Sequence, residues 1–96
     1  MGKDTELVKK LKNPTLKDKA FSELLDEYQE RLYWHIRKIV TTHENADDVL
    51  QNTFIRIYKS IQKFQEKSTL HTWMYRIAYN ESIRFLEKNN KKSYTN

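Results

Sequence analysis

Apolar residues recur at helical spacing through most of the chain. Leu7, Val8 and Leu11 share one side of a short helix over Asp4–Leu11, and Asn13-Pro14 ends it because the residue before a proline is driven out of the helical region. A longer stripe follows at Leu16, Ala20, Phe21, Leu24, Leu25, Tyr28, Leu32, Ile36, Ile39 and Val40. It predicts a helix from the cap candidate Thr15, with Asp18 three residues on, to about Thr41. Asn45 then reads as the cap of a second long helix, with Asp47 and Asp48 in the first turn, where the helix dipole favours negative charge. Val49, Leu50, Phe54, Ile57 and Ile61 form its buried stripe. The rhythm breaks over Gln62–Thr69, a polar connection that contains Phe64 and ends in two hydroxyl residues able to cap the next element. A third long helix runs from Leu70 to about Lys88, with Leu70, Met74, Ile77, Ala78 and Phe85 inward and Glu81 as a discordant member of the same stripe. These elements predict an all-α fold: a small helical bundle with a long antiparallel helix pair and a third helix.

Composition narrows the picture further. One Gly and one Pro in 96 residues leave few turn residues for hairpins and none of the glycines of a nucleotide-binding loop. The length suits one core, and the absence of Cys removes disulfide scaffolds, thiolate zinc sites and thiol nucleophiles. No apolar run approaches the roughly 18 residues of a membrane span, and the charged start lacks the apolar centre of a signal peptide. The expectation is therefore a cytoplasmic chain without membrane insertion. Charge is unevenly divided: residues 1–48 hold nine basic and ten acidic residues, whereas 49–96 hold nine basic and three acidic. Eight of the twelve aromatic residues also fall in that basic half, a mixture suited to nucleic acid and in particular to unpaired bases.

Candidate chemistry points away from catalysis. His35, His43 and His71 stand in no metal-ligand spacing, and Asp47 and Asp48 diverge by about 100° on a helix, so they cannot converge on one substrate atom. No Ser, His and Asp share a nucleophile context, and no cofactor is implied. Binding is better served. On the third helix Trp73, Arg76, Asn80 and Arg84 share a flank, with Lys88 adjoining it, although a solvated basic face is an ordinary feature and Trp73 is equally suited to a core. What sets the region apart is Phe64, Gln65, Lys67, Ser68, Thr72, Trp73, Arg76 and Asn80 together at one loop-to-helix junction. Cations for phosphates, rings for stacking and amides for base edges meet there.

The order of these elements resembles region 2 of the extracytoplasmic-function sigma factors of bacterial RNA polymerase. The resemblance is carried by Ala20-Phe21-Ser22-Glu23-Leu24-Leu25, by the run from Ala46 through Asp47-Asp48-Val49-Leu50-Gln51-Asn52 to Tyr58, and most specifically by Thr72-Trp73-Met74-Tyr75-Arg76-Ile77-Ala78-Tyr79-Asn80. It implies that Asp47, Asp48, Gln51, Asn52 and Arg56 belong to a helix docking on the clamp coiled coil of the polymerase largest subunit. Asn52 stands where the family often has Glu. It implies that Phe64, Gln65, Lys67, Ser68 and Thr69 form the loop that captures a base flipped from the non-template strand of the minus-ten promoter element. Thr72, Trp73, Arg76 and Asn80 match the start of the promoter-melting helix. Arg84 departs from the Asp or Asn common there and, with Lys88, adds charge on the DNA flank.

The implied partners are core RNA polymerase, promoter DNA and an anti-sigma factor, and the implied role is transcription initiation without enzymatic activity. The expected division is an N-terminal extension over 1–14, the helical domain over 15–90 and the beginning of an interdomain linker over 91–96. The family's second helical domain, region 4, would follow that linker. A helical protein-interaction module that binds a partner through the Tyr75 and Tyr79 side, without reading DNA sequence, remains the alternative. A double-strand helix-turn-helix reader would need a tighter turn than Gln62–Thr69.

Overall fold

Each apolar stripe becomes the buried side of a helix, except that Leu16 is 43 % exposed ahead of the first long helix and that Ile39 and Val40 follow its end. The computed structural model describes residues 3–95, with side chains placed for 4–89. Among the described residues the elements are α1 (Lys3–Lys12), α2 (Lys17–Arg37), α3 (His43–Ser60), a single 3-10 turn (Ile61–Lys63) and α4 (Leu70–Thr95). The fold is all-α.

α2 and α3 are the long antiparallel pair. At one end Phe21 meets Tyr58 and Phe54 edge to face, at 5.0 and 6.1 Å between ring centres, and the Tyr58 hydroxyl donates to Asp18 at 2.6 Å. At the other end Tyr33 and His43 share a 2.7 Å hydrogen bond. α4 closes the core with Leu70, Met74 and Ala78 against Leu24, Leu32 and Ile36 of α2 and Val49 and Ile57 of α3, all nearly or fully buried. Thr53 and Ser82 are fully buried too, because each hydroxyl donates to the carbonyl four residues back, at 2.7 and 2.8 Å, and needs no partner across the interface.

The helix ends differ from the sequence expectation in four places. Thr15 does not cap α2; Asn13 Oδ1 instead accepts from the backbone N–H of Thr15 (2.8 Å) and Leu16 (3.3 Å), an Asx turn that Pro14 reinforces. Helix α2 then begins at Lys17 and ends at Arg37, where the Arg37 guanidinium donates to the Thr41 carbonyl at 2.7 Å. Thr42, not Asn45, caps α3: it is extended, and its hydroxyl accepts from the Asn45 N–H at 3.2 Å. α4 continues to Thr95 instead of ending near Lys88, since no Gly or Pro interrupts Glu87–Lys92. The expected linker from Lys91 lies where side chains are outside the described residues.

α1 is a structural part of the bundle. Val8 and Leu11 are 2 % and 1 % exposed, and the helix packs on α2 and on the 3-10 turn. Its C-terminus also reaches the connection before α4: the Lys12 ammonium donates to the Phe64 carbonyl, and Gln62 Nε2 donates to the Lys12 carbonyl at 3.4 Å. If this docking is as tight as the burial implies, Leu11→Ala should destabilise the domain by about 2–5 kcal/mol, read as a lower urea midpoint at unchanged slope. A loss below about 1 kcal/mol would mean that α1 is only loosely held.

Candidate nucleic-acid interface

The connection between α3 and α4 is held at both ends. Phe64 is 5 % exposed, with its ring 4.8 Å from that of Trp73 and inclined by 33°. At the other end Thr69 caps α4: its hydroxyl accepts from the Thr72 N–H at 3.1 Å and lies 3.0 Å from the Thr72 hydroxyl. Between these anchors Glu66 takes φ 58°, a left-handed conformation uncommon outside glycine that costs on the order of 1 kcal/mol. Gln65 and Lys67, on either side of it, are exposed.

These constraints form a concavity of about 410 Å³ lined by Lys63, Phe64, Gln65, Lys67, Ser68, Trp73 and Arg76. Three cations surround it, Trp73 is half-buried, and Phe64 supports Trp73 from the core. The site can accept a flat, hydrogen-bonding group beside phosphate. Of the residues singled out in the sequence, the fold brings Phe64, Gln65, Lys67, Ser68, Trp73 and Arg76 together here. Thr69 and Thr72 pair with each other at the helix cap. Lys63 escaped sequence reasoning; a basic residue directly before Phe64 was the available signal.

Farther along α4, Asn80, Arg84 and Lys88 are exposed. Arg84 and Lys88 line a different hollow, between α3 and α4, which also takes in Asn52 and Arg56. There the discordant Glu81 finds its reason: only 9 % exposed, it pairs with Arg56 at 2.8 Å and Arg84 at 3.4 Å. Arg56 therefore faces the α4 side of α3. The other residues expected to dock on polymerase, Asp47, Asp48, Gln51 and Asn52, are exposed, and Asp47 and Gln51 border an apolar groove of about 610 Å³ between α2 and α3 that holds Phe54, Ile55 and Tyr58. Ile55 is 52 % exposed.

A basic, aromatic-floored hollow at a loop-to-helix junction, on an all-helical frame that exposes polar residues along α3, has the chemistry of a nucleic-acid-binding module. Comparison with known proteins gives its family. The sigma-70 region 2 family model matches residues 24–92, and the chain belongs to that family. Its relatives include the ECF RNA polymerase sigma-E factor of Haemophilus influenzae, 37 % identical over 68 residues that make up 71 % of this chain and 35 % of the relative. SigW of Bacillus subtilis is 32 % identical over 75 residues, 78 % of this chain and 40 % of the relative. The chain thus spans well under half the length of these curated relatives. Among solved structures, an engineered region 2 of sigmaE in complex with GTAAAA superposes with a TM-score of 0.82 at 27 % identity, covering 96 % of this chain and 97 % of that one. Among the described residues no helix is long and apolar enough to cross a membrane.

The N-terminal half of α4 rests on α2 through an aromatic cluster. His71 stacks on Tyr75 at 4.2 Å, His35 lies 4.7 Å from Tyr75, and Tyr28 lies 5.8 Å from His71. Burial pushes the His35 imidazole below its usual value near 6.5, the Lys38 ammonium and His71 add to the shift, and a hydrogen bond with the Tyr75 backbone opposes it without reversing it. Its Nε2 is buried without a partner. The folded state therefore prefers neutral His35, so this stabilisation is complete above pH 6.5 and is lost as pH falls through the lower folded value. Thermal melts should show stability declining between about pH 7 and pH 5, and His35→Phe should flatten that decline. An identical decline in the variant would assign it to other groups.

Proposed function

We propose that this chain is the promoter-reading and polymerase-docking domain of an extracytoplasmic-function sigma factor. The observation that carries the reading is the hollow at the start of α4, in a chain of the sigma-70 region 2 family whose similar solved structure is described as a complex with GTAAAA. A base leaving its stack costs a few kcal/mol, and a hollow that combines stacking with edge hydrogen bonds offsets that cost. Trp73 offers the ring, with Phe64 fixed beneath it. Gln65 and Ser68 offer groups that both donate and accept, and Lys63, Lys67 and Arg76 offer charge to the flanking phosphates. Thr69 and Thr72 hold the loop in register, and Asn80, Arg84 and Lys88 continue the polar track along α4. The strand read is the non-template strand of the minus-ten element.

The second surface of the reading is the exposed side of α3. Asp47, Asp48, Gln51 and Asn52 make polar contacts with the clamp coiled coil of core RNA polymerase, and the apolar groove beside them receives side chains of the same partner. An anti-sigma factor is the regulatory partner, competing for these faces. The role is binding and strand capture in the cytoplasm, with no enzymatic step.

Two outcomes check this reading. Replacing Gln65–Thr69 by the loop of another sigma factor of the group should change the preferred base at one promoter position by about ten- to a hundredfold, the size of one good base-edge contact, with little change in general affinity. An unaltered preference profile across a panel of substituted promoters would reduce the loop to a connector. Asp48→Lys with Gln51→Ala should weaken binding to core polymerase while far-UV circular dichroism stays the same, and equal affinity of variant and wild type would remove the docking surface from α3.

A further inference from the structure

The hollow between α3 and α4 holds about 560 Å³ and carries more positive charge than its one carboxylate can balance. Arg56 and Lys59 enter from α3, and Arg84 and Lys88 from α4, around Glu81. Glu81 Oε2 lies 2.8 Å from Arg56 Nε in an ion pair and accepts from Arg84 Nη1 at 3.4 Å. The carboxylate is nine-tenths buried, whereas the two arginine side chains remain 49 % and 56 % exposed. One buried carboxylate therefore pairs with two guanidiniums from different helices, and both arginine side chains stay about half-exposed. Among the described residues no ion pair engages Lys59 or Lys88. Guanidiniums pre-oriented in this way suit bidentate contact with phosphate, because less side-chain freedom remains to be lost on binding.

The geometry points to this cleft as a second phosphate site for single-stranded DNA, in which Arg56 and Lys59 of α3 contact the backbone of the strand whose base enters the loop hollow. The inference rests on the reading of that hollow given above. It moves Arg56 from the polymerase-facing set to the DNA-facing set and adds Lys59. The spacing supports one continuous track: Arg76 lines the loop hollow and Arg84 lines the cleft. At about 1.5 Å per residue they are roughly 12 Å apart along α4, which matches three to four stacked nucleotides at about 3.4 Å each. Glu81 acts here as a positioning residue, since it aims the guanidiniums without touching the strand itself.

The test titrates the chain with a six-nucleotide single strand that fills the loop hollow and with the same strand lengthened by six nucleotides at either end. Wild type should bind one of the lengthened strands more tightly. Arg56→Gln with Lys59→Gln should lose roughly tenfold of that gain, shallow the log–log salt dependence by about 1.4, and bind the short strand as wild type does. Lys59→Gln alone leaves the Glu81 pairs in place and should give about half the change in slope, which keeps the test open if the double variant folds poorly. Unchanged affinity and slope in both variants, with the short strand still bound and its base preference intact, overturns the cleft and leaves the loop reading standing. A wild-type chain with no base preference on the short strand overturns the loop reading, and the inference with it. Variants that lose affinity for core polymerase while DNA titrations stay the same also overturn the inference, because the cleft then takes acidic side chains of a protein.

Discussion

Phe64 sits where the polar connection begins, and its burial determines where everything after it lies. Once its ring is in the core beneath Trp73 and Lys12 has taken its carbonyl, the residues from Gln65 to Ser68 have only a short span to reach the cap at Thr69. They must turn sharply, and Glu66 takes the left-handed conformation that the turn demands. Gln65 and Lys67 point to solvent as a result. Fixing both ends of such a segment lowers the entropy that a ligand would otherwise have to remove, which favours binding at the loop.

The two faces of α3 differ in chemistry. Asp47 and Gln51 look outward beside an apolar groove shared with α2, Arg56 looks toward α4 and its basic track, and Lys59 borders both hollows. Glu81 joins the second face to α4. A buried carboxylate contributes little net stability after desolvation, so its value lies more in fixing two guanidiniums than in holding the helices together. The excess of positive charge in the second half of the sequence is thus concentrated around one loop and one cleft instead of being spread over the surface.

Much of this was legible in the sequence, and the parts that were not have physical reasons. Leu24, Leu32 and Ile36, Val49 and Ile57, and Leu70, Met74 and Ala78 repeat with the helix period, so the three long helices and their buried sides follow from spacing alone. The motif around Thr72–Asn80 gave the family. The caps were misassigned because Thr15, Asn13, Thr42 and Asn45 are all competent cap residues, and only the backbone path decides which hydroxyl or amide reaches a free N–H. The roles of Lys12 and Glu81 depend on contacts 52 and 25 positions away in the chain, and no local pattern reports those. Glu81 nevertheless left a trace as a carboxylate on an apolar stripe, which in a folded protein requires a partner.

The most direct measurement of the central claim is a titration of isotopically labelled protein with a short single strand of minus-ten-like sequence, followed by the backbone amide and tryptophan indole signals in nuclear magnetic resonance. The account predicts that the largest shifts fall on Gln65–Thr69, the Trp73 indole and Arg76, that they diminish along α4, and that they weaken when the sequence is scrambled. Shifts confined to the α2–α3 groove, or a pattern identical for the scrambled strand, would contradict it.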